Sequence, residues 1–220
     1  MTSNTEENYL KTIFSLNEAV SNSASTNAIA ERLQTKAASV SDMLKKLKEK
    51  KLINYKKYKA VTLTELGTNI AISIIRKHRL WEYFLVEKLN FGWDEVHEIA
   101  EQLEHIESSK LTNRLDQFLG LPKFDPHGDP IPNKDGEFPH KLDITLDDLP
   151  EQESARVLGV KDHTTEFLNY LNNLSISLGT VVKVERKNSF DESLELLYDN
   201  KKASVSKIVA QNLYIKTDLH

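Results

Sequence analysis

The chain has no cysteine, which excludes disulfides, thiolate zinc sites and cysteine nucleophiles. Long apolar runs are missing too. The longest, around Ile70-Ala71-Ile72 and Ile74-Ile75, fall far short of a membrane span. The opening Thr2-Ser3-Asn4-Thr5-Glu6-Glu7 has neither a basic region nor an apolar core, so no secretory leader is expected. These absences predict a cytoplasmic protein with no membrane partner. Proline is absent from most of the chain: all six prolines fall between Pro122 and Pro150. Such a stretch cannot be a helix interior or a central strand, and it reads as a linker between unlike parts. Its histidines, His127 and His140, are expected to be solvated.

With 220 residues, 39% hydrophobic and 28% charged, the chain fits two or three small domains with real cores. The net charge of −4 hides a patch: Lys45 to Lys59 holds eight lysines and a single acid, Glu49. Before the linker, helical periodicity dominates. Tyr9, Ile13, Leu16 and Val20 mark a first helix, Thr26 is placed to cap a short second one over 27–33, and Ser39 or Ser41 introduces a third. Leu52-Ile53-Asn54-Tyr55 and Val61-Thr62-Leu63-Thr64 flank a lysine tip and predict a hairpin. Two longer helices are expected over 68–88 and 94–118, the second capped by Asp94. After the linker come short strands, expected over 155–160, 181–185, 194–198, 205–209 and 213–215, with a helix over 165–174. That pattern suggests a small β-barrel.

Three helices followed by a hairpin is the order of a winged helix-turn-helix, whose second paired helix enters the major groove of DNA. Its leading residues are Ala38, Ser39, Ser41 and Asp42. Lys45 and Lys46, with Lys56, Lys57 and Lys59 on the hairpin, would neutralise phosphates of double-stranded DNA. A lysine run alone is more often a solvated face. Lysines on both the third helix and the hairpin favour the DNA reading.

The long helices carry a second anomaly. His78 and Glu82, one turn apart, fall inside the apolar stripe of Ile74, Ile75, Leu85 and Leu89. A buried carboxylate needs an opposite charge, and a metal ion or a salt bridge would each supply one. His97, Glu101, Glu104 and His105 share an arc on the next helix, opposite its apolar stripe, where a solvated face is the competing reading. If the helices run antiparallel, His78, Glu82 and His97 can meet at one ion, and Glu101, Glu104 and His105 at another. Carboxylate and imidazole donors without sulfur suit Mn²⁺, Fe²⁺, Co²⁺ or Zn²⁺. A di-metal hydrolase would use similar clusters. However, the sequence shows no further catalytic carboxylate motif, phosphate-cradling glycine loop or nucleophile, and no catalytic residue is expected.

From Glu7 to Ile215 the sequence resembles the diphtheria-toxin-repressor family, including its manganese-responsive branch. The resemblance is carried by Ile29-Ala30-Glu31-Arg32-Leu33, Ser39-Val40-Ser41, Val61-Thr62-Leu63-Thr64-Glu65-Leu66-Gly67, Arg76-Lys77-His78-Arg79-Leu80, Leu103-Glu104-His105 and His127-Gly128-Asp129-Pro130-Ile131-Pro132. It implies a mainly α fold with small β parts: a winged helix-turn-helix over 1–66, a helical dimerisation and metal-binding domain over 67–121, the linker at 122–150, and an SH3-like FeoA-type domain over 151–220. It also implies a homodimeric repressor of metal-transport genes with two metal sites. His78, Glu82 and His97 match the ancillary site, to which His163 and Glu166 add ligands. Glu101, Glu104 and His105 match the primary site. Glutamate at 101, where iron-type members carry cysteine, favours manganese over iron as co-repressor, with zinc and cobalt as substitutes in vitro. The first-helix ligand position of the primary site falls on Asn8, where the family usually places Met or Asp, and an amide oxygen is a weaker, neutral ligand. Lys11 stands where a manganese-branch member can offer a second carboxylate, which disfavours a binuclear site. A metal-independent winged-helix regulator is the alternative that Asn8 raises.

Overall fold

The computed structural model describes residues 2–19, 24–56, 59–140 and 142–217. They form two compact units: residues 1–78, 103–107 and 132–137 in one, and residues 79–102, 108–131 and 138–220 in the other.

The first unit begins with α1 (Asn4–Ala19), α2 (Thr26–Arg32) and α3 (Ala37–Glu49). Tyr9, Leu10 and Ile13 of α1 share a core with Ile29, Val40, Leu44, Leu47, Ile53 and Val61, each worth roughly 1.5–3 kcal/mol when fully enclosed. Val20, which extended the periodic stripe of the first helix, lies outside the described residues. Ser25, not Thr26, caps α2, its side chain accepting from the Ala28 backbone N–H at 3.1 Å. The third helix begins earlier than expected, after Lys36, so Ser39 and Ser41 lie within it; the Ser41 hydroxyl donates back to the Ala37 carbonyl. Strands β1 (Ile53–Asn54) and β2 (Thr62–Leu63) pair antiparallel and form the hairpin.

The boundary between units falls within α4 (Glu65–Leu89), after His78. The single helix expected over 94–118 is two: α5 (Val96–Leu103) and α6 (Ser109–Phe118). The break has a local cause. The Ser108 hydroxyl caps α6 by accepting from the Leu111 N–H at 3.2 Å, and Ser108 itself is extended (φ −146°, ψ 95°).

In the second unit, β3 (Ser154–Val160), β4 (Val181–Lys187), β5 (Leu194–Tyr198), β6 (Lys201–Val205) and β7 (Leu213–Lys216) form an antiparallel sheet in the order β6-β5-β4-β3-β7. Helix α7 (Thr165–Leu174) and Trp93 pack into its core with Leu146, Leu149 and Leu213. The strand expected over 205–209 ends at Val205. The Ser206 hydroxyl instead caps a short helix, α8 (Lys207–Gln211).

The proline-rich stretch is not a passive tether. Asp125, His127 and Ile131 are buried, and Leu146 and Leu149 are fully part of the sheet core. Proline here fixes a packed irregular path. At Gly128 (φ +91°) that path passes Gly159 so closely that a Cβ on Gly159 would sit 2.3 Å from the Gly128 Cα. A bulge in the β3–β7 register between Val157 and Gly159 lies at this crossing, and the Val160 N–H donates to the His127 carbonyl at 2.6 Å.

Candidate metal centres

In the first unit, α1 carries three acid or amide groups in succession, and each meets a different partner. Glu6, fully enclosed, accepts from Lys50 at 2.9 Å and pairs with Lys46 at 3.1 Å, both lysines on α3. Burial works against its charge, but the hydrogen bonds from Lys50, the Ser3 N–H and Lys46 prevail and hold its pKa down at about 2. Glu7 lies 2.6 Å from His105 Nδ1 and also accepts from the Thr2 hydroxyl. The Asn8 side-chain oxygen is buried without a hydrogen-bond partner. One turn further on, Lys11 Nζ donates to both oxygens of Glu104, at 2.7 and 2.8 Å.

Glu104 is 0% exposed, and its Oε2 also lies 2.6 Å from His78 Nδ1. The competing reading of a solvated arc fails at Glu104 for a simple reason: α5 ends at Leu103, so helical angles no longer describe Glu104 and His105. His105 Nε2 lies 3.9 Å from Glu104. Burial lowers the pKa of neighbouring Lys77, against the opposing charges of Glu7, Glu104 and Glu107. By donor chemistry, two carboxylates, two imidazoles and an unpartnered amide oxygen fit a hard or borderline divalent ion. On Glu104, however, an ammonium already takes both oxygens.

In the second unit a different cluster forms on Glu82. Ligand atoms of Glu82, Asp125 and His127, all buried, lie within 4.8 Å of one another. His127 Nε2 lies 2.8 Å from the Trp93 carbonyl, which can only accept. Nε2 therefore carries the proton, and Nδ1, 3.6 Å from Glu82 Oε2, is left as the ligand or charge-bearing atom. Burial disfavours the imidazolium, yet the hydrogen bond to Glu82 and the charges of Glu82 and Asp125 lift its pKa to about 9. Asp125 is pushed up to about 7 by its own burial and then by the charges of Glu82 and Asp129. Its Oδ1 accepts from the His127 and Asp129 N–H groups at 2.8 and 2.9 Å, which shapes the turn that presents His127. Arg79 holds the same loop through Asp125, Asp129 and the Pro130 carbonyl.

His97, His163, Glu166 and His78 are the other expected ancillary residues. His97, with its side chain 66% exposed, lies 3.3 Å from Glu82 and 3.7 Å from Glu101. The His163 ring is 5.1 Å from that of His127, centroid to centroid. Glu166 is exposed in the first turn of α7, and His78 is engaged by Glu104 in the first unit. Sequence reasoning missed Glu7, Asp125 and His127, and the expectation that His127 is solvated is corrected: it is 5% exposed. The one available signal was the unusual density of acid, histidine and glycine between Asp125 and Asp129. Composition alone reads that as a loop. His140 is exposed as expected.

On the first unit's surface, Ala38, Ser39, Asp42, Lys45 and Lys46 of α3 are exposed, as are Lys56 and Lys59 of the hairpin, while Ser41 is half-buried. Lys45 pairs with Asp42 at 2.9 Å. Lys57 lies outside the described residues.

Family models match the chain in three consecutive stretches: an iron dependent repressor N-terminal DNA binding domain over residues 1–61, an iron dependent repressor metal binding and dimerisation domain over 64–133, and a FeoA domain over 144–217. The iron-dependent repressor IdeR of Mycobacterium bovis is 37% identical over 128 residues, which is 58% of this chain and only 55% of that protein's length. The diphtheria toxin repressor of Corynebacterium efficiens is 30% identical over 190 residues, 82% of each chain. A solved manganese-dependent transcriptional repressor in complex with manganese superimposes with a TM-score of 0.75 at 34% identity, covering 96% of this chain and 99% of that one. With DNA-binding, metal-binding and FeoA segments matched in that order, the chain belongs to the iron-dependent, or diphtheria toxin, repressor family.

Proposed function

We propose that this chain is a metal-activated, DNA-binding transcriptional repressor, with Mn²⁺, or alternatively Fe²⁺, as its co-repressor. The observation that carries the metal half is the buried Glu82–Asp125–His127 cluster, in which two carboxylates crowd one imidazole whose tautomer is fixed. Such a group is costly unless a cation balances it. A bound divalent ion supplies two positive charges there. Glu82 and Asp125 would hold it through oxygen and His127 through Nδ1, joined by neighbours His97 and His163. With no sulfur among the donors, the set favours Mn²⁺ or Fe²⁺, and Zn²⁺ or Co²⁺ would substitute in vitro.

In this reading residues 1–66 bind DNA, 67–121 form the homodimer and hold metal, and 151–220 are the FeoA-type module. Residues 122–150 do more than connect, because they supply Asp125 and His127. Exposed Ala38, Ser39 and Asp42 at the start of α3, with Ser41, would face bases, and Lys45, Lys46, Lys56, Lys57 and Lys59 would neutralise phosphates. Glu6 holds Lys46 and Lys50 of α3 against α1, while Lys11 and Glu7 of α1 meet Glu104 and His105. The state of the Glu104 cluster is thereby transmitted through one helix to the recognition helix. The targets would be operators of metal-transport genes, in the cytoplasm.

The relatives are repressors, and nothing in either cluster adds a nucleophile or substrate cradle that would favour a hydrolase. The test uses chelator-stripped protein and DNA from its own upstream region and from metal-transporter promoters, with and without Mn²⁺ or Fe²⁺ at fixed moderate salt. Retarded DNA only in the presence of metal is the expected result. Equal binding with and without metal would leave a metal-independent winged-helix regulator.

A further inference from the structure

We infer that Lys11 is a tethered internal competitor for metal at Glu104, so that this site fills only when an ion displaces the chain's own ammonium. The inference rests on the reading of Glu104 as a metal ligand. Glu104 is 0% exposed, and a carboxylate enclosed to that degree must be balanced by a cation. Lys11 supplies it, reaching both oxygens from a position 93 residues away in sequence. His78 occupies a further position on Oε2. An incoming ion therefore finds neither oxygen of Glu104 unengaged.

The competitor is built to leave. The Lys11 side chain keeps 17% of its surface in contact with solvent, and a lysine carries its charge on a flexible four-carbon stem. Its ammonium can return to water without unfolding α1, whereas Glu104 cannot. Being covalently tethered, the ammonium is present at high effective concentration whatever the solution contains. At the Glu82–Asp125–His127 cluster the balancing group beside Glu82 is the His127 imidazole, 3.6 Å away, which can give up its proton in place, and Arg79 approaches Asp125 at 3.7 Å. Glu104 should accordingly fill at higher metal concentration than Glu82, giving a graded, two-step response.

The experiment is Mn²⁺ titration of the chelator-stripped full chain, followed by the electron paramagnetic resonance signal of free Mn²⁺. Lys11→Met removes the competing charge and keeps the apolar stem; Lys11→Gln is a second neutral variant should the first fold poorly. Either should tighten the Glu104-dependent class of binding about tenfold or more, the scale of a charge-assisted hydrogen bond. Lys11→Arg should stay close to the parent. In metal-free thermal melts Lys11→Met should unfold below the parent, and Mn²⁺ should restore it. Unchanged or weaker Mn²⁺ binding in both neutral variants would overturn the role of Lys11. Adding Glu104→Gln separates the two ideas. If it removes the tightened class, the ligand reading stands on its own; if it leaves Mn²⁺ binding untouched in either background, that reading fails and the competitor with it.

Discussion

Glu104 and Glu82 pose the same electrostatic problem in different parts of the molecule, and the chain answers it in two ways. Glu104 is met by a lysine drawn from the first helix and by His78. Glu82 is met by His127 and His97, while Asp125 beside it is pushed up to about 7, first by its own burial and then by the charge of Glu82. The difference lies in what a metal must remove. At Glu82 it would displace one proton, from His127, whose pKa the neighbouring carboxylates lift to about 9. At Glu104 it would displace a whole side chain. Clusters of similar donor chemistry can thus have different thresholds, because balance by a proton follows pH while balance by a tethered ammonium follows the fold.

The largest effect that would break this comparison comes from the backbone crossing that positions His127. Gly159→Ala places a methyl group 2.3 Å from the Gly128 Cα, and backbone must move to admit it. We expect a loss of about 3 kcal/mol in chemical denaturation, the upper end for overpacking, together with weakened metal binding. An unchanged midpoint would mean that the crossing is loose. Next, Glu82→Gln should weaken Mn²⁺ binding on the order of a hundredfold in calorimetric titration, since it removes the carboxylate shared by His127 and His97. Binding that survives intact would move the centre elsewhere.

Glu6→Gln tests the link from α1 to α3, the helix proposed to face DNA. It should cost about 1.5–3 kcal/mol at neutral pH, the range for hydrogen bonds to a charged group. The sign with pH is fixed by the lowered pKa of Glu6. Its contribution is fully present above about 4.5, declines as pH falls, and is gone below about 2. Stability curves of parent and variant should therefore converge in acid; parallel curves down to pH 2 would show that the lysine pairs contribute nothing. The smallest effect is expected at the hairpin. Lys56→Ala with Lys59→Ala should reduce the salt dependence of DNA binding by a slope of about two, without altering sequence preference. A changed preference would place these residues at base edges.

Much of this was legible beforehand because it depends on local rules. The spacing of Tyr9 and Ile13, the β-prone pair around the lysine tip, and the acid and histidine pairs on α4 and α5 follow from side-chain periodicity. Where periodicity stopped, so did the reading. The cap at Ser108 opens a new helix where one long helix was expected, with the buried Glu104 in the break between them, and the hydroxyl of Ser206 caps α8 where a strand end was expected. The proline-rich segment misled most, because prolines exclude regular structure whether a segment is solvated or packed.

The sequence by itself determined the family, the order of its parts, the sulfur-free donor chemistry and the lysine-bearing helix and hairpin, since each is written in residue type and short-range spacing. Only the tertiary structure decided which cation each buried carboxylate receives. Lys11 reaches Glu104 across 93 residues, and Glu82 meets His127 across 45. Such partnerships are set by how the chain folds back on itself, because burial rather than spacing makes an opposite charge compulsory.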